Sequence, residues 1–123
     1  MITKNQKSTI RDTQSDLLAI TPDPPYYAVI FSSLRTDVKE GYKDTSDRML
    51  ELASQQDGFL GYESVREELG LTVSYWKDLE SMKKWKQHIE HTLARARGRK
   101  EWYSAYRVRI AKVEREYGFD RES

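Results

Sequence analysis

The chain has 123 residues, 37% hydrophobic and 33% charged, with a formal net charge of +1 and no cysteine. That length supports one hydrophobic core and excludes a second, while the missing thiols exclude disulfides, thiolate catalysis and sulfur-held metals. The balanced charge argues against a nucleic-acid partner, and no apolar run is long enough to cross a bilayer.

Residues 1–24 read as a flexible arm, polar apart from Leu17, Leu18, Ala19 and Ile20. Pro22, Pro24 and Pro25 stiffen its junction with the domain, because proline fixes φ and pushes its predecessor into extended geometry. Residues 1–6 lack the apolar stretch of a secretion signal, so a cytoplasmic location is expected. The domain itself spans 25–118, and 119–123 form a short tail.

Tyr26–Leu34 is a strand with two apolar faces, Tyr27, Val29 and Phe31 on one and Ala28, Ile30 and Leu34 on the other. A strand of that kind is covered on both sides. Asp37 and Glu40 have capping-box spacing and predict a helix that ends near Gln56. Its apolar stripe is Tyr42, Thr45, Met49, Leu52 and Ala53, and Asp57-Gly58 stops it.

Phe59–Glu67 and Leu71–Trp76 are then two strands joined by the hairpin-length link Glu68-Leu69-Gly70. Asp78 caps a second helix whose stripe is Leu79, Met82, Trp85, Ile89 and Leu93, with a break near Gly98. A long last strand runs from about Trp102 to Glu114. The order β-α-β-β-α-β is that of the α+β, ferredoxin-like split unit, a four-stranded antiparallel sheet with both helices on one face. Two such sheets laid face to face would close a barrel lined by rings, and a domain this small completes its burial by forming a homodimer.

All three tryptophans and both histidines fall after the hairpin. His88 and His91 are the available imidazoles, and at helical spacing they form a row with Trp85. An imidazole beside an indole suits a general base that removes an acidic C–H or O–H proton. Tyr75 and Tyr103 are candidate hydrogen-bond donors to a developing oxyanion. Trp76, Trp85, Trp102, Phe31 and Tyr106 are candidate walls for a flat aromatic substrate. The same rings also suit an ordinary core. Two histidines three residues apart, with no HExxH pattern, do not predict a metal site. Neither a phosphate loop nor a nucleophile elbow is present.

The segments Pro24-Pro25-Tyr26-Tyr27-Ala28-Val29-Ile30-Phe31-Ser32-Ser33, Gly58-Phe59-Leu60-Gly61-Tyr62-Glu63-Ser64, Thr72-Val73-Ser74-Tyr75-Trp76-Lys77 and Arg99-Lys100-Glu101-Trp102-Tyr103 resemble the antibiotic biosynthesis monooxygenase family of dimeric α+β barrels. The resemblance covers roughly 25–118. It implies a homodimeric monooxygenase that needs no cofactor and acts with O₂ on a small quinol, phenolic or polyketide-like aromatic. His91 or His88 would serve as base. The family also includes haem-degrading members, which use an Asn on the first strand, a Trp on the second helix and a His further along. Trp85 matches that Trp, but Arg95 stands at the His position and the first strand offers Phe31, Ser32 and Ser33. That triad is therefore incomplete here. The alternatives are a haem- or hydrophobic-metabolite-binding module without turnover, a degenerate haem-degrading relative, or a structural dimer with no cavity.

Overall fold

The computed structural model describes residues 17–121. The rest of the arm, the last two residues of the tail and the side chain of Ile89 lie outside the described residues. The elements are β1 (Tyr26–Arg35), α1 (Tyr42–Ser54), β2 (Phe59–Arg66), β3 (Gly70–Trp76), α2 (Leu79–Gln87), α3 (Ile89–Arg97), a wide π-type turn (Gly98–Trp102) and β4 (Tyr103–Val113). The sheet order is β2-β3-β1-β4 with every neighbouring pair antiparallel, which is the expected α+β ferredoxin-like arrangement.

The register explains why β1 is apolar on both faces. It is a central strand, with Val29 opposite Ser74 and Ile110, and Phe31 opposite Thr72 and Val108. Directly opposed residues share a face, so these six line the helical side of the sheet. On the other side Ala28 meets Tyr75 and Ala111, and Ile30 meets Val73 and Arg109. The core lies under the helices. Trp76 is fully buried and packs with Ala53 and Met82, flanked by Tyr27, Val29, Phe59 and Trp85. Burying an indole of this size contributes roughly 4–6 kcal/mol of transfer free energy.

Two expectations about the helices are corrected. The capping box at Asp37 and Glu40 does not form. α1 begins later, after Gly41, whose φ is +75° and which supplies no side-chain cap. A contact from far along the chain holds this segment: the Trp102 indole donates to the Glu40 carbonyl at 2.9 Å. Thr36 N likewise donates to the Trp102 carbonyl at 2.8 Å. The segment before α1 is thus held by the turn that precedes β4.

The second correction is that the helix after Asp78 is two helices. Asp78 does cap α2, its Oδ1 accepting from Ser81 N at 2.8 Å. At His88 the backbone turns extended, with ψ 132°, and its Nδ1 accepts from Glu90 N at 3.2 Å to cap α3. The break changes which residues of α3 face the sheet. Leu93, expected in the buried stripe, is 65% exposed.

The described end of the arm is tied to the open face of the sheet. Ala19 N donates to Glu63 Oε2 at 3.0 Å, and the Tyr75 hydroxyl donates to Glu63 Oε1 at 2.7 Å. Tyr26 donates to Glu116 Oε1 at 2.5 Å.

Candidate functional site

A cavity of about 770 Å³ lies between the sheet and its helices. That is within the size range of small-molecule sites, roughly 300–1,000 Å³. It sits on the helical side of the sheet and is built from one chain. The sequence had suggested a chamber between two facing sheets, and the observed cavity is on the opposite side from that barrel interior. The reason is that the large rings of β3 and β1, Trp76 and Phe31, project toward the helices.

Seven of the residues singled out from the sequence line this cavity: Phe31, Trp76, Trp85, His91, Trp102, Tyr103 and Tyr106. They form two groups. Near the start of α1, the Phe31 ring lies 5.4 Å from that of Tyr103 and 5.3 Å from that of Tyr106, and Tyr42 meets Trp102 edge-on at 5.7 Å. Under α2 and α3, Phe59 meets Trp76 at 5.3 Å, Trp76 stacks on Trp85 at 6.5 Å, and Trp85 stacks on His91 at 4.5 Å. Beside β4 the wall is aliphatic, and Val108 and Ile110 keep more than half of their surface in solvent.

Tyr75 and His88 are not brought to the cavity. Tyr75 is on the open face, edge-on to Tyr26 at 5.7 Å and bonded to Glu63. Strand alternation requires this, since Trp76, its neighbour, points toward the helices. His88 touches the Trp85 ring at 5.3 Å, but its Nδ1 is committed to capping α3.

The geometry of His91 fixes its tautomer. Its Nδ1 lies 3.0 Å from the Trp85 carbonyl. A carbonyl can only accept, so Nδ1 carries the proton and donates. In the neutral ring Nε2 then holds the free lone pair. Burial pushes the His91 pKa below the ordinary imidazole value, opposed by the bond to the Trp85 carbonyl, with the charges of Arg95 and His88 acting in the same direction as burial. The ring is therefore neutral and able to accept a proton at pH 7. The Tyr103 phenol is shifted upward, first by burial and then by its long contact to the Tyr42 hydroxyl at 3.5 Å. It stays protonated at neutral pH, with its hydroxyl donating to that of Tyr42.

Sequence reasoning missed several lining residues, chiefly Met49, Phe59, Met82, Arg66 and Arg95. Phe59 was readable as the cross-strand partner of Trp76. Arg95 was marked only by the resemblance, at the position of the haem-degrading members' His, and its inward position depends on the break at His88. Among the described residues no group of three or more His, Cys, Asp or Glu side chains is placed to hold a metal ion. No helix there is long and apolar enough to cross a membrane.

Comparison with known proteins agrees with this architecture. The family model described as antibiotic biosynthesis monooxygenase matches residues 25–97. A Bacillus subtilis (strain 168) protein described as uncharacterized protein YqjZ is 52% identical over 103 residues, which is 82% of this chain and 90% of that one. Among solved structures, SnoaB, a cofactor-independent oxygenase from Streptomyces nogalater, superposes with a TM-score of 0.65 at 10% identity, covering 76% of this chain and 97% of that one. Rv0793 from Mycobacterium tuberculosis gives 0.63 at 14% identity, covering 80% and 99%. At such identities the structural likeness speaks for the fold. The fold, the element order and the family match converge: this chain belongs to the antibiotic biosynthesis monooxygenase family.

Proposed function

We propose that the protein is a cofactor-independent monooxygenase of a small aromatic substrate, of quinol, phenolic or polyketide-like type, with His91 as its base. The observation that carries this reading is a neutral imidazole, held in one tautomer by the Trp85 carbonyl, in the wall of an aromatic cavity. SnoaB, which shares the fold, is described as a cofactor-independent oxygenase, and that supports the reaction class.

For a ring CH₂ flanked by aromatic or carbonyl groups, Nε2 of His91 takes one proton and leaves a delocalised carbanion. The carbanion passes an electron to O₂, and the radical and superoxide recombine through a new C–O bond. The His91 proton then returns to the terminal peroxide oxygen. Loss of water from the resulting CH–OOH leaves a ring carbonyl. In sum CH₂ and O₂ give C=O and H₂O, with the carbon oxidised by four electrons and O₂ reduced by four. In this reading Tyr103 turns its hydroxyl from Tyr42 to donate to the enolate oxygen. The tryptophans and Phe31 hold the ring plane and exclude water.

The part of the open sheet face that the arm does not reach supports a homodimer. It carries Ile30, Val73 and the exposed Leu34 and Val65, an apolar surface of the kind a second copy covers.

Oxygen uptake with anthrone or a hydroquinone tests the enzyme reading. Wild-type protein should consume O₂ well above the spontaneous rate without added flavin or metal. His91→Ala should lose about 10²-fold or more of that rate. No turnover with any such compound, together with an unaffected His91→Ala, would overturn it.

A further inference from the structure

The cavity wall is charged in one sense. Arg66, Lys83, Lys86 and Arg95 contribute to it, and among the described residues no Asp or Glu does. These cations are not equivalent. Lys83 and Lys86 are exposed side chains. Arg66 is engaged, its guanidinium donating to Ser33 Oγ and lying over Gly70.

Arg95 is different. Its Nε is buried and has no hydrogen-bond partner among the described residues. Nor does Arg95 belong to any of the ion pairs found there, which are Lys43–Asp47, Arg48–Glu51, Arg48–Glu90 and Arg97–Glu101. A buried donor on a charged group that lacks an acceptor is costly, and native proteins rarely leave one unmatched. Arg95 also lies four residues after His91 on α3, so the two project from neighbouring positions on one helix face.

We propose that the cavity takes aromatic acids, with the carboxylate held by Arg95 one helical turn from the base. A guanidinium is a matched donor for a planar carboxylate, and the bond is charge-assisted. The neighbouring lysines raise the local concentration of anions at the opening. This specifies the ligand class of the cavity invoked for the oxygenase reading, but binding is measured without turnover, so the two can fail separately.

Quenching of tryptophan fluorescence by a hydroxynaphthoate and by its uncharged carboxamide provides the test, since three tryptophans line the cavity. Wild-type protein should bind the carboxylate about tenfold or more tightly than the carboxamide, the ratio expected for one charge-assisted bond. Added salt should weaken the carboxylate selectively. Arg95→Gln should abolish the preference, while Arg66→Gln should keep most of it. Equal wild-type affinities would overturn the proposal without recourse to any variant. A preference lost in Arg66→Gln but kept in Arg95→Gln would overturn the assignment to Arg95. A carboxylate preference in a protein that oxidises nothing would leave this inference standing and remove the oxygenase reading.

Discussion

The His91 imidazole lies flat on the Trp85 indole, with centroids 4.5 Å apart and planes 9° from parallel, while its Nδ1 bonds the carbonyl of that same tryptophan at 3.0 Å. One residue thus sets both the plane and the protonation of the other. The break at His88 lies between the two residues, and across it the His91 ring meets the Trp85 ring and carbonyl.

The partly buried position of His91 makes stability depend on pH with a definite sign. Its folded pKa is below the unfolded value, so between the two the unfolded chain binds more protons. Stability is therefore full above about pH 6.5, the ordinary imidazole value, and is lost progressively as pH falls below it. Arg95 and His88 are the charged or titratable groups that act on the ring. Urea unfolding at a series of pH values should show this decline in the wild type and a flatter profile in His91→Phe. Identical profiles would show that His91 is not buried in the neutral form.

His88 separates a structural imidazole from a chemical one. Its Nδ1 accepts from Glu90 N, a task that an asparagine side chain performs equally well. His88→Asn should change stability by less than about 0.5 kcal/mol, whereas His88→Ala should cost about 1 kcal/mol through the lost cap. Oxygen uptake should be the same in both and in the wild type. A loss of activity in His88→Asn comparable with that of His91→Ala would place the base at the wrong histidine.

Much of this arrangement was legible in the chain, and the exceptions have local causes. Strand alternation in Tyr26–Arg35 and Gly70–Trp76 set the faces correctly, and it also implied that Tyr75 and Trp76 could not share one cavity. The helix break was not legible. Lys86, Gln87 and His88 include no glycine or proline, and the periodicity through Trp85, Ile89 and Leu93 reads as continuous. With the break unseen, periodicity gave Arg95 no place in the cavity, and only the family resemblance marked its position. The late start of α1 has a different origin, since the segment before it is held by an indole more than sixty residues away. No local window contains that contact.

Trp76 joins the core to the cavity. It is fully buried, meets Phe59 and Trp85, and satisfies its indole N–H with Ser74 Oγ at 2.9 Å. Trp76→Ala should cost about 3–5 kcal/mol, the range for deleting a large buried ring, and it should abolish the cooperative thermal transition or lower it sharply. Trp76→Phe keeps most of the apolar contact but leaves Ser74 without its donor, so it should cost less. A Trp76→Ala protein within about 1 kcal/mol of wild type would mean that the cavity collapses to refill the space.

Gly58 offers the sharpest test of the backbone that sets β2 against α2. Its φ is +85°, a region that residues with a Cβ rarely adopt, and an added Cβ would lie 2.1 Å from Ser81 Oγ and 2.6 Å from Ser81 Cβ. Ser81 cannot retreat easily, because it is 7% exposed and its backbone N–H anchors the Asp78 cap. Gly58→Ala therefore combines a left-handed backbone penalty of roughly 1–2 kcal/mol with a steric clash, and its total cost should exceed that figure. Gly118→Ala provides the control, since a Cβ there meets nothing within 4 Å. Denaturant midpoints should fall clearly for Gly58→Ala and stay in place for Gly118→Ala. If Gly58→Ala also left the midpoint unchanged, the hairpin would have to enter the sheet by a different path from the one described, and the pairing of Phe59 with Trp76 would go with it.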